Sequence, residues 1–332
     1  MSTSAFPATM ARQDTAPAER QTEPTPNRAT ARVGPITPHL WFDKEAVEAA
    51  KFYADVFPDA GVDHVGQIRD TPSGDCDIVD FHIGGQPFMA ISAGPLFSPN
   101  PSISFFVNFD PSRDDAAREH LDAVWTRLAD GGVVRMELGE YPFSKHYGWV
   151  EDRFGVNWQL ILTDPAGDPR PFIVPSLMFV GDNAGKAEEA IGLYTSVFPD
   201  ALRGQTARYP PGMEPDQEGT LMFADFQLAG QWFAAMDSAH PHDFRFTEGV
   251  SLLVACDGQD EMDRLSDALS AVPEAEQCGW LKDRFGVSWQ IVPRGFQAMM
   301  REGTKEQVDR VTQAFMPMKR LDVAVLEKAY NG

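Results

Sequence analysis

GWVEDRFGVNWQL, residues 148–160, returns as GWLKDRFGVSWQI at residues 279–291. Two further stretches repeat in the same order. FYADVFPDA at 52–60 returns as LYTSVFPDA at 193–201, and VDFHIGGQPF at 79–88 returns as ADFQLAGQWF at 224–233. Three ordered matches identify a duplicated domain, with copies over residues 35–164 and 172–294. Between them lies TDPAGDPRP (163–171). Its proline and glycine content marks residues 165–171 as a linker.

Inside a copy the hydrophobic period alternates between two and 3.6. ITPHLWF alternates as a strand, KEAVEAAKFYADVF carries a helical face through Ala46, Ala49, Ala50, Tyr53 and Phe57, and the Pro58-Asp59 pair ends it. Alternating segments follow at 62–68, 77–83 and 87–92. The order then restarts, with a strand in SISFFVNF, a helix over 114–130 and strands near 133–138, 146–151 and 157–162. Each copy is therefore two βαβββ units. The second copy passes from its helix (259–271) almost directly into GWLKDRFG and lacks the counterpart of residues 131–147.

Paired βαβββ units together with these motifs resemble the vicinal-oxygen-chelate superfamily, which includes glyoxalases, bleomycin-resistance proteins and extradiol dioxygenases. P-x-L-x-F, F-Y-x-x-V-F-P-D-A and G-W-x-x-D-R-F-G-V-x-W-Q are similar to its PhnB-like branch, whose members carry a 3-demethylubiquinone 3-methyltransferase-like label. The resemblance spans residues 35–330. It implies an α+β fold of two tandem domains, each a curved mixed sheet shaped as a cup with its helices on the convex face. It also implies that single domains, which pair as homodimers in this superfamily, are paired here inside one chain.

Residues 295–332 add a C-terminal extension that is expected to be helical. Val308, Val311 and Phe315, then Leu321, Val325 and Ala329, mark apolar helical stripes broken at Pro317. These helices are expected to cover the second copy. Residues 1–34 are rich in Pro, Ala, Thr and Gln without an apolar face, and read as a disordered tail with no secretory h-region.

Composition narrows the partners. The 332 residues include 28 Lys+Arg against 49 Asp+Glu, a net charge of −21. A polyanion repels phosphate, which argues against nucleic acid and anionic membranes. No run of apolar residues is long enough to span a bilayer. Three cysteines without a C-x-x-C pair suit a reducing cytoplasm. A monomer with intramolecular pairing, or a weak homodimer, is expected.

Strand parity assigns the cup faces. Pro38, Leu40 and Phe42 point to the helices, which leaves Thr37, His39 and Trp41 inside. The same argument places Ser102, Ser104 and Phe106, and then Asn157 and Gln159, inside. These eight residues form the expected ligand site of the first copy, overhung by residues 140–143. In the second copy Ser176, Met178, Gly249, Ser251, Ser288 and Gln290 face inward and look more structural. In the DRFG segments, Gly155 takes a positive φ in a turn, Trp149 and Trp158 pack core, and Arg153 and Arg284 pair with nearby carboxylates. His82 reads as a partly exposed strand residue. His64, His120 and His146 read as surface residues, and His240 and His242 as a solvated loop.

Glyoxalases and extradiol dioxygenases place His, Glu or Gln metal ligands at inward positions. By that resemblance the corresponding residues here are Thr37, Ala90 or Ser92, Ser102 and Gln159, then Val174, Asp237, Gly249 and Gln290. Neither set holds enough strong ligands for a first-row ion. No G-x-G-x-x-G loop or G-x-S-x-G elbow is present, so the methyltransferase label has no matching motif. The expectation is a cup that binds a small organic molecule, with no metal and no cofactor. A metal-dependent lyase, isomerase or dioxygenase using His39 and Gln159 is the alternative, and a structural or regulatory domain with vestigial cups is a third reading.

Overall fold

The computed structural model describes residues 34–332. Apart from Gly34, the expected tail lies outside them. The first copy runs β1 (Ile36–Phe42), α1 (Ala46–Val56), β2 (Ala60–Thr71), β3 (Gly74–Ile83) and β4 (Gln86–Ser92). Its second unit is β5 (Ile103–Phe109), α2 (Ala117–Ala129), β6 (Val133–Tyr141), β7 (Ser144–Glu151) and β8 (Asn157–Leu162). The second copy begins with β9 (Ile173–Phe179), α3 (Ala187–Val197), β10 (Leu202–Arg208), β11 (Leu221–Leu228) and β12 (Gln231–Asp237). It continues with β13 (Val250–Cys256), α4 (Gln259–Leu269), β14 (Trp280–Lys282) and β15 (Ser288–Pro293). The extension is α5 (Arg294–Glu302), α6 (Lys305–Phe315) and α7 (Val323–Asn331). All three helices fall in the extension expected to be helical, and the apolar stripes read from the sequence correspond to α6 and α7. No helix among the described residues is long and apolar enough to cross a membrane.

The strands form two mixed sheets, and each sheet takes one unit from each copy. The first has seven strands in the order β14-β15-β13-β1-β4-β3-β2, and the second has eight in the order β10-β11-β12-β9-β5-β8-β7-β6. The joints are antiparallel: β1 on β13, with His39 opposite Ser251, and β5 on β9, with Ser104 opposite Ser176. The strand missing from the second copy accounts for the shorter first sheet. The equivalent residues Gln86 and Gln231 meet at the pseudo-twofold, where the Gln231 amide donates to Gln86 Oε1 (3.1 Å) and to the Ile36 carbonyl (3.1 Å).

One hydrophobic core runs through both copies, and its largest aromatic clusters form within each copy. In copy one the convex faces of both sheets meet around α1, where Tyr53 lies 5.3 Å from Trp158 and Phe88 lies 5.1 Å from Phe105. In copy two Tyr194 lies 5.3 Å from Trp289. Each residue assigned by parity to the helix side, from Leu40 to Leu160, is in this core.

The repeated DRFG turn supplies the clasp, and its working residue is the aspartate. Asp152 Oδ2 accepts from Tyr53 Oη (2.8 Å) and Trp158 Nε1 (2.8 Å), and Oδ1 accepts from the amides of Phe154 (2.8 Å) and Val156 (3.1 Å). Asp283 repeats the pattern with Tyr194, Trp289, Phe285 and Val287. Burial raises the Asp152 carboxyl to about 6 while the donors hold it down. Gly155 (φ 84°) and Gly286 (φ 89°) close the turns. Arg153 lies 3.9 Å from Glu48 and Arg284 lies 2.8 Å from Glu189, as expected.

Asp152→Ala leaves four donors, three of them buried, without an acceptor and is predicted to cost about 3–5 kcal/mol in urea unfolding, whereas Tyr53→Phe removes one donor and costs about 1–3 kcal/mol. Equal, small effects of both substitutions would contradict the clasp.

Candidate functional site

The eight residues expected to share one cup are divided between two. Thr37, His39 and Trp41 lie on the first sheet, and Ser104, Phe106, Asn157 and Gln159 lie on the second, with Ser102 in the turn just before β5. The correction has a physical cause. Side-chain parity depends on each strand alone and holds, but the partner of a strand depends on which copy closes the sheet. A tandem repeat offers the same edge twice.

Each concave floor carries one cross-strand row. In the first sheet it runs Asp80, Met89, His39, Ser251, with Gln290 Nε2 donating to Ser251 Oγ (2.9 Å). In the second it runs Asp225, Ala234, Ser176, Ser104, with Gln159 Nε2 donating to Ser104 Oγ (2.8 Å). The rows are repeat equivalents. At their shared centre stand two buried polar atoms without a partner, His39 Nδ1 and Ser176 Oγ. Such atoms are uncommon in folded proteins and each calls for a partner.

The walls differ. In the first cup Trp280 meets His39 edge-on at 5.5 Å and lies 6.1 Å from Trp41, which also packs on Phe97 (5.2 Å). His39 is 4 % exposed. Burial pushes it down to about 4, so it is neutral near pH 7. In the second cup Tyr147, Trp149, Met178 and Met236 form a separate apolar cluster with Phe106, Ile161 and Phe244. Tyr147 Oη donates to Gln159 Oε1 (2.6 Å), and Trp149 Nε1 donates to Asn157 Oδ1 (3.1 Å). Trp149 therefore lines a cup and does not join Trp158 in the main core. The Tyr141 and Phe143 rings, from the segment expected to overhang the site, pack at 5.4 and 4.9 Å from Tyr147. The linker residue Arg170 bonds Asp225 (2.8 Å) and lies 3.8 Å over the Trp232 ring.

Sequence reading missed Asp80 and Asp225, although their recurrence in the repeated D-F motif was the available signal. It also placed His146 on the surface. That imidazole is buried at the base of β7, with Nε2 2.5 Å from Asp122 of α2. His82 pairs with Asp63 (2.9 Å) and is partly exposed, as expected. His240 and His242 turn to different partners, Asp216 (3.3 Å) and Ser238 (2.8 Å).

The donor sets do not fit the superfamily's divalent ion. Thr37 and Ser92 lie on one sheet, Gln159 lies on the other, and Ser102 is in the turn just before β5. The first cup offers one imidazole with its nearest floor carboxylate two strands away, roughly 10 Å by strand spacing. In the second cup Asp225 is engaged by Arg170. Among the described residues no group of three His, Cys, Asp or Glu side chains converges.

The sequence profile of the 3-demethylubiquinone-9 3-methyltransferase family matches residues 34–161 and 171–292. The chain belongs to that family, the PhnB-like branch. The match restarts at the second copy, as the internal repeat requires. The PhnB protein of Bacillus cereus is 32 % identical over 39 % of this chain and 98 % of its own, with a TM-score of 0.34. A protein from Pseudomonas aeruginosa is 24 % identical over 39 % of this chain and 97 % of its own, with a TM-score of 0.33. Glyoxalase I from Zea mays is 11 % identical over 70 % of this chain and 80 % of its own, with a TM-score of 0.44. No curated protein sequence matches.

The depressed titration of His39 makes a signed prediction. Below pH 6.5 the unfolded chain takes up a proton that the folded chain refuses until about pH 4. This contribution is full above pH 6.5 and is lost as pH falls toward 4, reaching at most about 3 kcal/mol. Urea titrations of wild type and His39→Gln should therefore converge with falling pH. Parallel curves from pH 7 to 4 would show that His39 is not buried neutral.

Proposed function

We propose that this PhnB-like protein binds a small organic molecule in its cups, without a metal ion, and that the cup of the second sheet is the principal site. The observation that carries the reading is the pair of unpartnered polar atoms, His39 Nδ1 and Ser176 Oγ, at equivalent floor positions beside a Gln–Ser pair. A buried hydrogen-bonding atom under an aromatic wall is suited to a ligand that brings one polar group and an apolar body. The wall of Phe106, Tyr147, Trp149, Met178 and Met236 favours a partly aromatic molecule. Asp225 is already neutralised by Arg170, so the second cup selects for an uncharged one.

Both cups are closed by strands from both copies, so a monomer suffices for the site. Three free thiols fit a reducing, cytoplasmic setting. The methyltransferase description finds no glycine-rich nucleotide loop in the sequence and is not adopted as the activity. Nor do the neutral amides and hydroxyls of the floors supply the imidazole and carboxylate ligands that a lyase, isomerase or dioxygenase of this superfamily would need.

A thermal-shift screen of small uncharged aromatic compounds against the full chain tests this. A binder should raise Tm by several degrees, and Phe106→Ala should weaken it about tenfold. EDTA should leave Tm unchanged. Binding insensitive to Phe106→Ala would overturn the site. A fall in Tm with EDTA, reversed by a first-row ion and absent in His39→Ala, would overturn the metal-free reading.

A further inference from the structure

The C-terminal extension is fixed to the first sheet at both edges. The chain turns from β15 directly into α5 at Pro293. There Gln297 Nε2 donates to Met89 Sδ (3.1 Å), and Met89 is the lateral neighbour of His39 on the concave floor. Helices α5 and α6 both contact β2, the far edge strand, where Arg69 lies 3.6 Å from Asp309 of α6. At the opposite edge the amides of Cys278 and Gly279 donate to the carbonyls of Met318 (2.7 Å) and Lys319 (2.8 Å), between α6 and α7. The extension therefore crosses the mouth of the first cup from edge to edge, touching copy one as well as the copy it was expected to cover. Burial raises the Asp80 carboxyl on this floor, and the positive charge of Arg301 on α5 opposes that rise.

We propose that α5 is a hinged roof whose opening controls access to His39 and the first cup. The extension does not hold α5 and α6 equally. In α6, Thr304 and Gln307 form a capping box and Val308, Val311 and Phe315 are buried, so it is anchored. In α5 only Met300 is buried and no side chain caps its N-terminus. Its contact with the floor ends on a thioether sulfur, a weak acceptor. Beside Met89 on that floor, His39 Nδ1 has no partner. The closed state thus leaves hydrogen-bonding capacity unused at the point where an entering ligand would supply it. The helix is bounded by Pro293 and Gly303. A Cβ at Gly303 would sit 2.5 Å from the Met299 carbonyl, so the joint to α6 is close and suits glycine alone. A roof that opens only for the first cup makes the two sites of one chain unequal.

The inference rests on the cups being ligand sites, but it can be tested without a ligand. Diethyl pyrocarbonate acylates neutral imidazoles, and peptide mapping by mass spectrometry reads each histidine separately in the intact chain. His146 is the internal reference, buried (7 % exposed) against α2 on the other sheet. Phe296→Ala removes the ring that lies 5.3 Å from Phe315 and ties α5 to α6, and Gln297→Ala removes the floor contact without touching the core. In both variants the ratio of His39 to His146 labelling should rise, by about tenfold for Phe296→Ala. An unchanged ratio, including a parallel rise of both histidines, would overturn the roof. Since no ligand is present, that result leaves the small-molecule reading to its own test.

Discussion

Neither copy of the repeat can close a cup by itself. Strand β1 is completed by β13 and strand β5 by β9, each antiparallel and each from the other copy. An unpaired strand edge is a row of unsatisfied amides and carbonyls, so each inner edge needs a partner. Each partner lies beyond the linker. The hydrophobic cores impose the opposite bookkeeping: Tyr53, Trp158, Phe88 and Phe105 hold both units of copy one together through their convex faces. Aromatic packing within copies and sheets between copies interlock inside one shared core, and the fold follows from that combination.

The consequence for the site is that each floor row is assembled from both copies. His39 stands beside Ser251, and Ser176 beside Ser104. The duplicated sequence then lets the cups diverge while sharing a frame. One centre carries a neutral imidazole and the other a hydroxyl. One carboxylate, Asp225, is paired with the linker's Arg170, and the other, Asp80, is raised by burial. Only the first cup lies beneath the C-terminal extension. Duplication within one chain gives two related floors that carry different side chains.

Much of this was legible in the residues. Alternation assigned Leu40, Phe105 and Trp158 to the core and His39, Ser104 and Gln159 to concave faces, because face depends only on parity within a strand. The partnering of those faces was not legible. His39 with Gln159 and His39 with Gln290 satisfy the same pattern, and only the three-dimensional closure selects the second. The roles of Asp152 and Asp283 were hidden for another reason. An aspartate in a turn is ordinary, and the burial that makes it a four-donor acceptor comes from the tyrosine of a distant helix. Helix α5 falls in the extension read as helical, but its short apolar set follows the last strand without a break and marks no stripe of its own.

The pairing between copies is tested most directly by nuclear Overhauser effects across the strand joints in isotope-labelled full-length protein. Contacts linking residue 39 to residue 251 and residue 104 to residue 176 are predicted, since those residues face each other across antiparallel pairs. Contacts joining β1 to β5, with none from β1 to β13, would mean that each copy closes its own cup, and would contradict the shared sheets on which both sites depend.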